Sequence, residues 1–255
     1  MNNATQVTLL ALPGIPLIQN GDDLVRMILD ALARTDMTLQ DGDVLVIASK
    51  IVSKAEGRLV RLAEITPSAR ALELAEKTGK DARLVELVLQ ESVEVSRVAP
   101  GVLVTQHRLG FVSANAAIDQ SNVQGSTEVA LLLPRDPDAS ARTLHDQLHH
   151  HTGAQVGIVI SDSHGRPFRM GNIGVALGVA GMPALLDLRG EHDLFGYELR
   201  ISIQGYADLV ASAAHLLTGE GREGKPVVLV RGLNFTEPHG TAHDLNRPRE
   251  KDLYR

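Results

Sequence analysis

The segment Asn115-Ala-Ala-Ile-Asp119-Gln-Ser-Asn122 joins one carboxylate to hydroxyl and amide side chains within eight residues, directly after an apolar run. A second acidic segment, Ile160-Ser-Asp162-Ser163-His164-Gly165-Arg166, ends another apolar run about forty residues later. Hard divalent cations take oxygen ligands, keep several waters and share their remaining positions with substrate phosphates. Two Asp residues at the mouths of separate strands, with hydroxyls and amides beside them, supply that chemistry. Each Asp alone also fits a turn or a helix cap; together they make Asp119 and Asp162 the candidate ligands of a magnesium-type site.

Phosphate calls for cations. Ser49-Lys50-Ile-Val-Ser53-Lys54-Ala-Glu56-Gly57-Arg58 holds two of the six lysines of the chain, directly after a short apolar strand. An ammonium is a point charge suited to phosphate oxygens, and serine hydroxyls with backbone N–H groups complete a cradle. A solvated basic strand end is the plainer alternative. G-x-x-x-x-G-K-[ST] is absent, so a nucleotide needs a site other than a P-loop. Leu217-Thr218-Gly219-Glu220-Gly221 follows an Ala-rich stretch; its glycines let backbone approach a ligand and Glu220 offers another metal oxygen, or the segment is only a helix C-cap. Gly171, Gly174, Gly178 and Gly181 lack the G-x-G-x-x-G spacing and suit a strand or turn where backbones meet. His145-Asp-Gln-Leu-His149 misses the zincin pattern, because Asp146 stands where that helix needs Glu. Histidines near a helix C-terminus also sit well against its dipole. Gln204 and Asp208, near the start of the Ala-rich helix, read first as caps.

These groups must be carried by short elements. Val7–Leu12, Val44–Ala48, Val156–Ser161 and Val227–Val230 are apolar runs of strand length, and a strand closes at Leu131–Pro134. Asp22 or Asp23 caps a helix with apolar residues at Leu24, Ile28, Leu29 and Leu32; Pro67-Ser68 opens another, stopped by Gly79. Further helices are predicted over Asp81–Val95, Asp138–His151 and Tyr206–Leu217, and Arg108-Leu-Gly110 turns a hairpin. Strands and helices interleave without strict βαβ alternation, which predicts an α/β fold of the mixed α+β kind with mixed sheets, not a Rossmann or P-loop fold. The tail after Phe235, rich in Pro, His and charge, is expected to be loosely ordered.

With 255 residues, 44% hydrophobic and 22% charged, the chain can bury a sizeable core as one large domain or two small ones. Its net charge of −6 and 3% aromatic content argue against nucleic-acid stacking and anionic membranes. The absence of Cys excludes disulfides, thiolate metal sites and a Cys nucleophile. The N-terminus, Met1-Asn-Asn-Ala-Thr-Gln6, lacks a basic n-region, and no run approaches the roughly 18 apolar residues of a membrane span. The expectation is a soluble, cytoplasmic protein.

In order, these segments resemble the coenzyme F(420)-0:L-glutamate (gamma-glutamyl) ligase family. The resemblance rests on Pro13-Gly-Ile-Pro16, the Ser49–Arg58 block, Asn115–Asn122, Ser161-Asp162-Ser163…Gly165-Arg166, and Thr218-Gly-Glu220 before Pro226–Gly232, and runs from about residue 9 to 234. It implies a GTP-dependent, homodimeric ligase with a mixed-sheet fold of its own. The ligase domain spans 1–235, as one unit or two intertwined subdomains, followed by a tail over 236–255. Asp119 and Asp162 are implied as ligands of a first Mg2+ or Mn2+ ion, Ser163 and Glu220 lie near a second, and K+ is a further candidate. Pro13, Gly14, Ile15, Pro16, Ser49, Lys50, Lys54, Asn122, Leu217, Thr218, Gly219, Glu220 and Gly221 are the implied guanine-nucleotide contacts, with Lys50 and Lys54 as the catalytic cations.

The implied partners are coenzyme F(420)-0, L-glutamate and GTP, with no nucleic acid and no membrane. GTP would phosphorylate the terminal carboxylate of coenzyme F(420)-0, and the glutamate amine would displace phosphate, with further gamma-linked additions open. The chain departs from the family at Ser163, commonly Thr, at Asp208-Leu209, commonly Asp-Glu, and at Gln204, commonly Glu. Two other classes stay open: a divalent-metal-dependent hydrolase using Asp119, Asp162 and the His cluster, and a nucleotide-binding protein without activity.

Overall fold

The computed structural model describes residues 6–123, 125–235 and 239–252. Residues 1–5 of the N-terminal reading and residues 236–238 and 253–255 of the tail lie outside them. The strands are β1 (Thr8–Ala11), β2 (Val44–Ala48), β3 (Leu59–Arg61), β4 (Ser92–Ala99), β5 (Val102–His107), β6 (Val112–Ala114), β7 (Val129–Leu131), β8 (Gly157–Arg166), β9 (Arg169–Ala180), β10 (Leu185–Asp187), β11 (Ile203–Gly205) and β12 (Val227–Arg231). The helices are α1 (Leu24–Ala33), α2 (Ser49–Ala55), α3 (Ala69–Thr78), α4 (Ala82–Gln90), α5 (Pro137–Thr152) and α6 (Tyr206–Thr218).

A five-stranded sheet, order β1-β12-β2-β8-β9, is the frame of the site. Only β2 and β8 run parallel; the other three pairs are antiparallel, so the sheet is mixed as expected. Its central strands are continuous Val, Leu and Ile because both faces are covered. Leu45, Ile47, Ile158 and Ile160 pack under α1 and α5, while Val44, Val46, Val159 and Val228 pack under α6. A three-stranded sheet, β4-β5-β6, packs with α3 and α4 around a separate apolar centre that includes Leu74, Val85, Val88 and Leu103.

The caps follow the sequence. Asp23 accepts the Arg26 N–H and caps α1; Ser68 caps α3, which ends at Gly79 with φ of 71°. The glycine spacing in β9 also has its expected reason. A Cβ at Gly174 would strike the Ala211 carbonyl of α6, and one at Gly178 the Pro137 carbonyl of α5. Both helices therefore lie directly on the strand backbone.

Three expectations are corrected. The helix expected over Asp81–Val95 ends at Gln90, and Ser92 starts β4, because Val93 and Val95 alternate with polar residues and Ser92, Glu94 and Val95 pair with β5. β8 does not stop at Ser161 but runs through Arg166, its polar half held by pairing with β9 rather than by burial. The described tail, 239–252, is ordered: Thr241 and Asp244 form a capping box, and the Ala242 N–H donates to Asp138 Oδ1 at 2.9 Å.

One polar cluster ties the two halves together. Glu91, just after α4, meets Arg58 at 3.1 Å and Arg108 of the β5–β6 turn at 3.1 Å, with Glu91 and Arg58 largely buried and Arg108 about a third exposed. Burial pushes the Glu91 carboxyl up, but its partners outweigh that and hold it down at about 2. His107 Nε2 stands 3.6 Å away, too long for a good hydrogen bond, whereas both guanidiniums lie at 3.1 Å. Burial in turn lowers the His107 imidazole, which is neutral at pH 7.

Candidate active site

Asp119 is presented by an unusual backbone. Asn115, Ala116 and Ala117 all have positive φ, 52°, 53° and 53°, making a short left-handed turn after β6. Such a conformation costs a non-glycine residue roughly 1–2 kcal/mol. It is held by Asn115 Oδ1, which accepts the Leu103 N–H at 3.2 Å, and by Ala116, buried beside α3 and α4. Asp119 then pairs its backbone with Leu131 in both directions. Its Oδ1 accepts the Ser121 hydroxyl at 2.7 Å and the Ser121 N–H at 3.0 Å, and its Oδ2 lies 2.6 Å from Lys50 Nζ.

α2 begins straight off β2, so Ser49 and Lys50 stand at the strand end and Lys54 lies one helical turn beyond Lys50 on the same face. Ala48 of β2 pairs with Ser161 of β8, which brings Ser49 against Asp162: its hydroxyl donates to Asp162 Oδ1 at 3.2 Å. Lys50 donates to the Ser121 carbonyl at 2.9 Å and Lys54 to the Asn122 carbonyl at 2.8 Å. Asn122, at φ of 53°, closes the ring by donating to the Gly221 carbonyl at 2.9 Å. On the far wall Glu220 accepts from Ser163 at 3.2 Å and from Asn172 at 3.3 Å, and meets His215 Nε2 at 3.1 Å.

These walls enclose one cleft of about 1330 Å³. It collects Ile15, Pro16, Ser49, Lys50, Lys54, Asp119, Asn122, Asp162, Ser163 and Thr218 to Gly221. Pro13, Gly14 and Leu217 do not line it; the Gly14 carbonyl instead accepts from Arg34, just after α1, at 2.8 Å. Sequence reasoning missed Asn172, His215, Arg222 and Lys225. The last two carry a legible signal, since they extend the glycine-rich run after α6 with further cations. His164, quoted but given no role, bonds Asp162 Oδ2 at 3.2 Å. Gln204 is exposed on β11, and Asp208 lines a different cavity, accepting the Ala176 N–H at 2.8 Å.

Charge in the cleft is balanced between facing groups. Burial pushes the Asp119 carboxyl up, but Lys50 and Ser121 outweigh it and hold it below the ordinary carboxylate range. Burial lowers the Lys54 ammonium, Lys50 adds to that, and Asp119 opposes. An anion bound between the two lysines would relieve their repulsion. The donor set suits a hard dication: Asp119, Asp162, Ser163 and Glu220 offer only oxygen to one cleft. As the side chains stand, no group of three His, Asp or Glu among the described residues closes on a common point, and Lys50 holds the charge position beside Asp119.

The histidine run lies elsewhere. His145 Nδ1 meets the Val156 carbonyl at 2.7 Å and His149 Nδ1 the Ala154 carbonyl at 3.2 Å, tying the end of α5 to the start of β8. Neither lines the cleft. Changing both to Ala is expected to leave turnover within a few-fold of wild type. Activity lost and then restored only by zinc would revive the metallohydrolase alternative.

Comparison with known proteins shows which sequences the chain is similar to. The family model described as F420-0:Gamma-glutamyl ligase matches residues 14–232. The chain is 46% identical over 251 residues to the coenzyme F420:L-glutamate ligase of Methanothermobacter thermautotrophicus, covering 98% of this chain and 99% of that protein. It is 45% identical to the protein of the same name from Methanopyrus kandleri, over 93% of each chain. The Archaeoglobus fulgidus protein of that name is 43% identical over 98% of this chain and 97% of its own.

Proposed function

The chain belongs to the F420-0:Gamma-glutamyl ligase family, and we propose from that premise that it joins L-glutamate to the terminal carboxylate of coenzyme F(420)-0 at the expense of GTP. The observation that carries the reading is the convergence of two lysines, three carboxylates and a glycine-rich loop, from four separate stretches of chain, on one cleft. A carboxylate and an ammonium do not condense unaided in neutral water. The acceptor carboxylate oxygen attacks the γ-phosphorus of GTP, the bond to the β-phosphate oxygen breaks, and GDP leaves. The glutamate amine then attacks the acyl carbon, the C–O bond to phosphate breaks, and inorganic phosphate departs with one proton released to solvent.

Lys50 and Lys54 bind and orient the phosphates, and the backbone of Gly219 and Gly221 permits close approach. Asp119, Asp162, Ser163 and Glu220 would hold Mg2+ or Mn2+, two per site, and the ions would supply charge neutralisation at the phosphates, with K+ as a further counterion. Further gamma-linked additions fit the same chemistry, because each product again ends in a carboxylate. A homodimer is supported by large apolar side chains in the open: Phe168 and Met170 at the β8–β9 tip and Leu194, Phe195 and Ile201 on the 188–202 segment. Among the described residues no helix is long and apolar enough to cross a membrane.

The test is incubation with F(420)-0, glutamate, GTP and manganese or magnesium. The expected result is a mass gain of one or more glutamyl units with GDP formed in step. The comparison of kcat/KM for GTP and ATP should favour GTP; equal values would reject the guanine preference and spare the ligase reading. GTP binding without turnover would instead support the inactive-binder alternative.

A further inference from the structure

A second cavity, of about 440 Å³, is lined by residues other than those of the first and is linked to it through His164. His164 lines it, and the same ring bonds Asp162 of the nucleotide cleft. Asp208 faces it from the first turn of α6, close enough to His164 for the two to interact electrostatically. The Asp208 carboxylate uses Oδ1 to accept the Ala176 N–H, while Oδ2 makes no hydrogen bond among the described residues. Burial pushes this carboxyl up, with the Ala176 N–H and His164 pulling the other way, so a cation beside it would favour the charged form. Arg135 and His243 also line the cavity, and their side chains make no hydrogen bond or ion pair among the described residues. Phe111 and Leu177 supply apolar wall. The tail closes one side, because Asn246 donates to the Leu109 carbonyl at 3.0 Å and Ala242 to Asp138.

The set is three carboxylates, Asp136, Asp138 and Asp208, of which Asp208 stands beside His164 and so toward the nucleotide cleft, together with an unpaired guanidinium and imidazole and an apolar wall. That matches a small molecule with one ammonium, more than one carboxylate and a short methylene stem. We propose that this cavity takes the amino-acid substrate, L-glutamate, with its ammonium on Asp208 and its carboxylates on Arg135 and His243. The assignment rests on the ligase reading above. It places the amine on the side of the cavity where His164 reaches toward Asp162. A purely structural Asp208, capping the edge of β9, would account for the Ala176 bond alone and leave the guanidinium and imidazole without a role.

The test uses Asp208→Asn, which keeps an oxygen for the Ala176 N–H, and Arg135→Gln, an exposed position where folding is not at stake. Both should raise the KM for L-glutamate about tenfold or more, as expected for loss of a hydrogen bond to a charged group. The KM for GTP should stay within about twofold of wild type, on the same reasoning. A second readout omits glutamate and adds hydroxylamine, a nucleophile that needs no amino-acid site, to trap the activated acceptor as a hydroxamate. Both variants should form hydroxamate at the wild-type rate. Wild-type product formation with unchanged glutamate KM in both variants overturns the cavity assignment alone. Wild-type protein that gives neither glutamyl product nor hydroxamate overturns the ligase reading, and this assignment with it.

Discussion

Asp119→Asn is expected to fold like the wild type and to lose about 100- to 1,000-fold in turnover, the usual scale for removing one electrostatic group at a phosphoryl-transfer site. The amide oxygen can still accept from Ser121, so the turn that follows survives. What disappears is the negative charge 2.6 Å from Lys50 and a hard oxygen anion for a dication. Asp162→Asn should behave alike, because its Oδ1 contact with Ser49 needs only an acceptor. Initial rates across a magnesium titration, with circular dichroism to confirm folding, check both. Near-wild-type turnover for either variant at saturating magnesium removes that residue from the metal site.

The second large effect is on stability. Glu91→Gln should cost on the order of 3 kcal/mol, because it leaves the largely buried Arg58, and the partly buried Arg108, without their shared anion. For a chain of this size that corresponds to a fall in Tm of about 6–12 °C. The pH dependence has a definite sign. The folded carboxyl sits at about 2, below its ordinary value of 4.5, so its contribution is full above 4.5 and is lost as pH falls toward 2. The gap between wild type and variant should therefore be constant from pH 5 to 8 and shrink in acid. Denaturant unfolding at pH 7 and pH 3 measures it; equal stability at pH 7 would show that the cluster contributes nothing net.

Much of the frame was legible because local signals and tertiary packing agree. Helix α1 announces itself by the spacing of Leu24, Ile28 and Leu32 behind the Asp23 cap, and the same residues are buried under the main sheet. The end of α4 was not legible, since Leu87, Val88 and Glu91 continue a helical pattern into Ser92-Val93-Glu94-Val95, where a period of two takes over. The polar half of β8 was hidden for a different reason. Residues Ser161 to Arg166 carry no apolar alternation, and only the opposite strand makes them extended.

The site divides along the same line. Residues within one segment, such as Lys50 and Lys54, could be grouped from spacing alone. Asn172 and His215 reach Glu220 only because β9 pairs with β8 and α6 lies on the β9 glycines. Register and close approach of that kind leave no local signature. The alanines before Asp119 illustrate the converse. Their identity invites a helix, yet they wind left-handed.

That left-handed turn limits which side chains this chain can carry there. Three successive residues sit where a side chain is disfavoured, so the peptide leading to Asp119 is kept in place by its surroundings and not by its own preference. Glycine at Ala116 or Ala117 would ease the backbone and loosen the aim of the carboxylate at one stroke. A β-branched residue would keep it stiff but could not adopt the conformation. Alanine is the narrow middle ground between those failures. A stabilising glycine at this turn is therefore expected to come at the expense of how firmly the Asp119 carboxylate is aimed.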